Sequence, residues 1–203
     1  MPIDLHTSLN RATMAWLFVI QFFTWIGMFT LWIFALPLIT SLPSAPGSAA
    51  IRWVGLCFAL YVTLAAIINL GLPAITARFG KSRSHGLFLL VGAASLFALS
   101  RAHSHSALLV CFAGIGIGWA SISSTPYTLV TDQVSDGRYA RAMAIFNFST
   151  VIPQVAVALS MGLLVDTVSP ATAVAGGGAA MALAGMAAFG LSVLSGPDRP
   201  PAQ

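Results

Sequence analysis

The sequence predicts an all-α membrane protein, in which 203 residues form one bundle of six transmembrane helices. Hydrophobic residues make up 58% of the chain and charged residues only 7%, whereas about a quarter of the residues in a soluble domain are charged. The charges also lie between apolar runs: there is no Asp, Glu, Lys or Arg from Ala12 to Ile51, and none from Ala102 to Thr131. A crossing helix needs about 20 apolar residues and an ionisable group at mid-membrane is costly, so this distribution is typical of a membrane-spanning chain.

Each long apolar run predicts one helix. Polar or Pro- and Gly-containing segments separate the runs, among them Ser41–Ala50, Asp132–Arg141 and Asp166–Pro170. The third run is the shortest, and the side chain of Arg101 at its end is expected to reach toward the membrane surface. The six predicted helices cover residues 14–39, 53–73, 85–102, 107–131, 142–165 and 171–194, which makes residues 1–203 a single unit.

The positive charges predict how the chain is oriented. If the N-terminus is cytoplasmic, only Arg52 and Arg101 of the nine Lys and Arg residues fall outside. Cytoplasmic connectors are enriched in positive charge, so we expect both termini to be cytoplasmic in a multi-pass protein, most simply one of the bacterial inner membrane. This bias and anionic lipid together account for the net charge of +4, so the bilayer is an expected partner and nucleic acid is not.

Polar and aromatic side chains share one face of the first predicted helix. Gln21, Thr24 and Trp25 recur at helical spacing, and Met28 and Trp32 continue the same face. Sugars stack their C–H faces on aromatic rings and their hydroxyls bind amides, so this face favours a sugar-binding role for Gln21, Thr24 and Trp25. The alternative is that the two indoles anchor the helix at the interface or pack against other helices.

A hydroxyl-rich segment follows two glycines in the fourth predicted helix. Gly114 and Gly118 have the spacing that lets two membrane helices approach closely. Pro126 removes a backbone hydrogen bond, and nearby hydroxyls can compensate for it. The sequence therefore predicts a kink that either lines a water-filled cavity, with Tyr127 as a binding group, or is packed inside the bundle. The hydroxyls belong to Ser121, Ser123, Ser124 and Thr125.

Amide side chains occur in two other predicted helices. Asn147, Thr150 and Gln154 form a polar stripe in the fifth helix. Asn69 lies near the end of the second. An amide in hydrocarbon needs a hydrogen-bond partner, so the stripe is expected to face protein or water. These side chains either contact a ligand or hydrogen-bond neighbouring helices.

The sequence predicts no enzyme, no metal site and no cofactor. Cys57 and Cys111 lie inside apolar runs and are interpreted as small buried hydrophobes. The string GWAS, which ends at Ser121, is faintly similar to the serine motif of an intramembrane serine protease. That chemistry needs a histidine base at membrane depth. The four histidines, His85 among them, are expected at helix edges or in the N-terminal tail.

Four strings together resemble the sugar:proton symporters of the major facilitator superfamily, in the sucrose-transporter-like branch related to the glycoside–pentoside–hexuronide:cation symporters. VIQFFTWIGMFTLW is similar to the start of that family's seventh helix, and RFGKSRSH to its basic loop between helices eight and nine. GIGWASISSTPYTLVTDQV resembles helix ten, and AIFNFSTVIPQ resembles helix eleven. The resemblance spans residues 8–195 and corresponds to the second half of a twelve-helix transporter.

The resemblance implies a half-bundle of the major facilitator fold that contributes one wall of a sugar site between two halves. An N-terminal six-helix half, or a second copy of this chain, would complete the cavity. The substrate would be a mono- or disaccharide, with neither cofactor nor metal. The residues that this half would contribute are Gln21, Thr24, Trp25, Asn69, Tyr127, Asn147 and Gln154.

Two departures from the family pattern affect the expected mechanism. Pro73 and Ala77 stand where the basic loop of the superfamily has Gly and Asp, so the charge pair of that loop is expected to be absent. No carboxylate falls at membrane depth, so the isolated chain is not expected to couple sugar uptake to protons. Two other functions stay open: a non-transporting six-helix scaffold or truncated fragment, and a facilitator for another small polar solute.

Overall fold

The computed structural model describes residues 5–42, 48–134, 136–164 and 167–194, and most of these residues are helical. No strand occurs within these ranges, which confirms the all-α class for them. A short 3-10 turn, Asp136–Arg138, precedes the sixth α-helix. The α-helices are α1 (Leu5–Thr40), α2 (Ser48–Phe79), α3 (Lys81–Leu99), α4 (His105–Ile122), α5 (Thr125–Thr131), α6 (Tyr139–Leu164) and α7 (Pro170–Leu194).

Six segments in the described ranges are long and apolar enough to cross a membrane. α4 and α5 together form one of them, His105–Thr131, and each of the others lies within a single helix. The prediction of six apolar helices of membrane-spanning length is therefore confirmed by length and composition.

Gly80 alone separates α2 from α3. Its φ of 86° lies in the left-handed region, which a residue without a Cβ adopts at little cost. The sequence analysis ended the second helix at Pro73 and began the third at His85, so the basic segment between them was expected to be a loop. The structure differs because a membrane helix tolerates proline when neighbouring groups satisfy the freed backbone atoms. α2 therefore continues to Phe79.

The three predicted connectors are shorter than expected. Of the segment Ser41–Ala50, residues 43–47 lie outside the described ranges, and the last three residues form the first turn of α2. Of the segment Asp166–Pro170, Asp166 lies outside those ranges and Pro170 begins α7. The polar segment 132–141 ends within α6, and its residue 135 is not described. Helix ends thus extend into polar sequence.

The predicted kink is a break between α4 and α5 at Ser123 and Ser124. Pro126 lies in the first turn of α5, where a missing N–H removes no helical hydrogen bond. The hydroxyl of Ser123 donates to the carbonyl of Ala120 at 3.1 Å, and that of Ser124 shares its single hydrogen between this carbonyl and the amide oxygen of Asn69, each at 3.2 Å. Hydroxyl groups therefore satisfy a carbonyl that the end of α4 leaves without a helical N–H.

α1, α3, α4 and α7 form the centre of the bundle, and α2 and α6 flank it. α7 packs against α1 and α3, α4 packs against α2 and α3, and α6 packs mainly against α1. Only 17% of the residues in the most apolar window of α2 or of α6 are buried, compared with 50% or 56% in the other four spans. α2 and α6 therefore present most of their surface to the surroundings of the described bundle.

Close packing between helices depends on a few glycines. A Cβ on Gly116 of α4 would lie 2.7 Å from the carbonyl oxygen of Tyr61 on α2. A Cβ on Gly27 of α1 would lie 2.9 Å from the carbonyl oxygen of Gly177 on α7. Side chains do not tolerate such short contacts with backbone oxygens, so these helix pairs meet backbone to backbone.

The close approach predicted from Gly114 and Gly118 is made to α3. A Cβ on Gly118 would lie 3.1 Å from the Cα of Gly92, and a Cβ on Gly114 would overlap the hydroxyl of Ser95. Glycines thus line the contacts of α4 with α2 and with α3.

We expect Gly116→Ala to destabilise the bundle. The added methyl group must displace the backbone of α2, and overpacking of this kind costs about 1–3 kcal/mol. The matched control is Gly55→Ala on α2, where no other atom lies within 4 Å of the new Cβ. Thermal unfolding of the detergent-purified protein, followed by tryptophan fluorescence, measures both variants. Equal unfolding temperatures for the two variants would contradict this account of the packing.

Candidate substrate site

Several of the polar and aromatic residues singled out in the sequence lie near the middle of their spans. Trp25 is at the centre of the span Arg11–Thr40, and Asn147 is within three residues of the centre of Tyr139–Ser160. Because a helix rises about 1.5 Å per residue, three residues correspond to about 5 Å of depth. Each of these side chains therefore lies about half-way along its own span.

Three tryptophans from two helices contact one another. Trp25 and Trp32 of α1 lie edge to face with 5.8 Å between ring centroids, and they contact Trp119 of α4 at 5.9 and 5.6 Å. Phe29 contacts both indoles of α1, and Tyr61 of α2 contacts Trp119 at 6.0 Å. We call these five residues the tryptophan cluster. It joins α1, α2 and α4 at mid-depth.

The sequence analysis found only part of this cluster. It named Trp25 as a site residue and Trp32 as a neighbour on the same face, but it assigned no role to Trp119 or Tyr61. The available signal was the position of Trp119, which lies within one residue of the centre of its span, as Trp25 does. Contact between α1 and α4 cannot be read from either helix alone.

Gln21 and Trp25 are buried with polar atoms left unpaired. Gln21 is 0% exposed, and neither its amide nitrogen nor its amide oxygen has a hydrogen-bond partner among the described residues. The indole nitrogen of Trp25 is also buried and unpaired within those ranges. Thr24 differs, because its hydroxyl donates to the carbonyl of Ile20 at 2.8 Å. An unpaired buried polar group costs about 1–3 kcal/mol, so Gln21 and Trp25 keep an unused hydrogen-bonding capacity that Thr24 does not have.

Asn69 bridges α2 to the break between α4 and α5. Its amide nitrogen donates to the hydroxyl of Ser123 at 3.3 Å, and its amide oxygen accepts from the hydroxyl of Ser124 at 3.2 Å. The side chain is half-buried. Both ends of the amide are therefore engaged, so a ligand at Asn69 would compete with the two serines.

The remaining predicted site residues lie on α5 and α6. Tyr127 is half-buried and packs edge-on against Phe146, with 6.0 Å between centroids. Asn147 is exposed and Gln154 is half-buried, whereas the hydroxyl of Thr150 is buried and unpaired in the described part of the chain. The polar stripe of α6 thus begins on the outside of the bundle and turns partly inward.

The seven predicted residues fall into three groups. Gln21, Thr24 and Trp25 are buried on α1, and Asn69 of α2 is hydrogen-bonded to the break. Tyr127 lies on α5, and Asn147 and Gln154 lie on α6. Trp25 of the first group contacts Trp119 of α4.

His85, which the sequence analysis expected at a helix edge, is the fifth residue of α3 and is buried. The side chain is 1% exposed, and its Nδ1 lies 2.7 Å from the hydroxyl oxygen of Ser121. That serine belongs to the GWAS string, so one histidine does contact it. Ser121 is 0% exposed, however, and its hydroxyl donates to that of Thr125 at 3.1 Å. An acyl substrate cannot reach the Ser121 oxygen in this arrangement.

The other chemistry-bearing side chains give no further site. No group of three or more potential metal-ligating His, Cys, Asp or Glu residues occurs in the ranges that the structure describes. Cys57 and Cys111 are buried free thiols, as predicted. No protein-family model matches this chain, and no curated protein matches it in sequence. The function has to be inferred from the arrangement of the side chains themselves.

We expect Asn69→Ala to lower the free energy of unfolding by about 1–2 kcal/mol, because it removes two hydrogen bonds worth about 1 kcal/mol each. Asn147→Ala removes an exposed amide from α6 and is the matched control, with an effect within about 0.5 kcal/mol. Chemical denaturation of both variants in detergent measures the difference. In a double-mutant cycle with Ser124→Ala, additive effects would contradict a direct bond between Asn69 and that serine.

Proposed function

We propose that this chain is one six-helix half of a membrane sugar transporter and supplies one wall of a substrate site near the middle of the membrane. The observation that carries the proposal is the tryptophan cluster beside the unpaired polar atoms of Gln21 and Trp25. Interface anchors lie at the level of the lipid headgroups. Mid-span indoles are better placed to bind a ligand or to pack than to anchor a helix.

The chemistry of this region suits a hydroxyl-rich ligand. An amide both donates and accepts a hydrogen bond, and an indole N–H donates one. A sugar hydroxyl can do both, so it would pair with the amide of Gln21 and the indole nitrogen of Trp25. The C–H faces of the sugar ring would stack on the indoles, of which Trp32 and Trp119 are partly exposed.

Access to Gln21 requires movement, because the side chain is fully buried in this arrangement. In transporters built from two halves, one half rocks against the other around a central site. α2 and α6, which are the least buried helices, would face the second half. Asn147 and Gln154 on α6 would then point toward that partner, either an N-terminal half of different sequence or a second copy of this chain.

The positive charges favour an orientation with both termini in the cytoplasm. In this orientation the ion pair between Lys81, at the start of α3, and Asp132, just after α5, lies on the cytoplasmic side. The protein would reside in a plasma membrane, most simply the inner membrane of a bacterium. A sugar:proton symporter additionally needs a proton-binding group.

A six-helix scaffold is the second candidate function, and one observation favours it. Asn69, which was predicted to bind a substrate or a helix, has both ends of its amide bonded to Ser123 and Ser124. If the remaining amides were also used between proteins, the polar side chains would specify assembly and bind no sugar.

Sugar-dependent stability separates the two functions. Thermal unfolding would be measured with sucrose, maltose, glucose or a non-sugar solute, for the chain alone and co-expressed with a candidate N-terminal half. A ligand at about 100 times its Kd stabilises by about 2.7 kcal/mol. We expect a sugar-selective gain that depends on the second half or on a homodimer. No gain in any combination would overturn the transport proposal and favour the scaffold.

Gln21→Leu gives a sharper test, because its two expected effects have opposite signs. Replacing an unpaired buried amide by an apolar group of similar size is neutral or stabilising without ligand. The same change should abolish the gain in stability with sugar. Trp16→Leu, which alters an indole that is 38% exposed on the same helix, should keep that gain. Loss of the sugar response in both variants would show that the response does not come from the tryptophan cluster region.

A further inference from the structure

His85 uses one of its ring nitrogens and leaves the other unpaired. Nδ1 contacts the hydroxyl of Ser121, and Nε2 is buried with no hydrogen-bond partner in the described ranges. Ser121 donates its single hydrogen to Thr125, so its oxygen accepts the bond from Nδ1–H of His85. This network assigns the neutral tautomer with hydrogen on Nδ1. Nε2 is therefore a base with a free lone pair.

His85 and Ser121 lie inside two of the six apolar spans. His85 is five residues from the centre of the span Lys81–Leu99, which corresponds to about 7 Å. Ser121 is three residues from the centre of His105–Thr131, or about 5 Å. The sequence analysis found no proton-binding group at this depth, because it placed His85 at a helix edge.

The break between α4 and α5 connects this pair to Asn69. Ser121 lies in the last turn of α4 and is hydrogen-bonded to His85 of α3. Ser123 and Ser124 in the break are hydrogen-bonded to Asn69 of α2. A shift of these few residues therefore changes the contacts of both α2 and α3. The break is a physical link between a candidate substrate residue and a buried base.

Few ionisable groups surround His85 on the helices packed against α3. On α3 itself, Lys81 is paired with Asp132, the one carboxylate whose side chain the structure describes, and Arg83 is exposed. α7 has no ionisable residue between positions 170 and 194. The other helices that pack on α3 carry these ionisable residues: His105 and Cys111 on α4, Tyr127 on α5, Arg52, Cys57, Tyr61 and Arg78 on α2, and His6 and Arg11 on α1.

We propose that His85 is a proton-binding residue, and that the α4–α5 break couples its protonation to the occupancy of Asn69. The coupling deepens the proposed transport function and rests on it. Histidine is the side chain whose ordinary pKa lies closest to physiological pH, so a modest change in its surroundings changes its charge. In the arrangement described here His85 is neutral and sealed from solvent.

The proton would be gained and lost at Nε2. When α3 and α4 separate enough for water to reach His85, a hydronium ion transfers its proton to the Nε2 lone pair and leaves as water. The ring then carries one positive charge, and Nδ1–H still donates to Ser121. An unpaired charge is costly inside the bundle, so the closed arrangement returns only after Nε2 gives its proton back to water. A ligand that draws Asn69 away from Ser123 and Ser124 would loosen the break and favour the open arrangement.

Histidine NMR tests the proton site directly. The full chain with ¹⁵N-labelled histidine, purified in detergent, would be titrated from about pH 8 to about pH 5, the range in which histidine side chains ordinarily change charge. Single His→Gln variants assign the four histidines, and His85 also follows by elimination if its own variant does not fold. We expect His85 to change from the Nδ1–H neutral form to the doubly protonated form. A neutral His85 signal at every pH would overturn the proposal.

The coupling is tested in the same experiment with two variants of α2. Asn69→Ala should change the proton affinity of His85 by at least about twofold, which is a shift of about 0.3 in its midpoint pH. Thr63→Ala, which alters an exposed side chain on the same helix, should leave the midpoint unchanged. Identical midpoints in the wild type and Asn69→Ala would overturn the coupling through the break. If sugars never stabilise the chain but His85 titrates, the transport function is contradicted and the proton site stands. If sugars stabilise the chain but His85 stays neutral, only the proton site is contradicted.

Discussion

Hydrogen bonding in an apolar layer is the constraint on which the rest of this structure depends. Water is absent from the hydrocarbon core, so each polar group there must find a partner within the protein. Most hydroxyls on the spans do so within their own helix: Thr30 donates to the carbonyl of Ile26, and Ser95 to that of Val91. The described residues that keep a buried unpaired polar atom are Gln21, Trp25, Trp32, Ser84, His85, His105 and Thr150, and of these we assign function to Gln21, Trp25 and His85.

The break between α4 and α5 shows how the chain meets this constraint where a helix is interrupted. Serine hydroxyls replace lost backbone donors, and the amide of Asn69 and the ring of His85 complete the network from two neighbouring helices. The polar residues therefore satisfy the backbone groups at the break and also connect α2 and α3 to it by hydrogen bonds. A rigid α4 would offer no element that moves between two arrangements.

Glycine contacts and an ion pair hold this arrangement together at different depths. Gly116 and Gly118 let α4 approach α2 and α3, so the serines of the break come within hydrogen-bond reach of both helices. At the ends of α3 and α5, Lys81 pairs with Asp132. This pair joins the start of α3 to the segment that follows α5.

The sequence by itself determined the number and the approximate positions of the spans, because hydropathy and charge are properties of consecutive residues. It also located the break, since Pro126 and the hydroxyls before it act locally. Helix ends were less predictable. α2 continues past Pro73 and ends only at Phe79, because the positive φ of Gly80 interrupts the helix there. The partners of the site residues were decided only by the tertiary structure. The contacts of Trp119 with α1 and of His85 with Ser121 depend on how each helix is rotated about its axis, and that rotation is set by packing against helices distant in sequence.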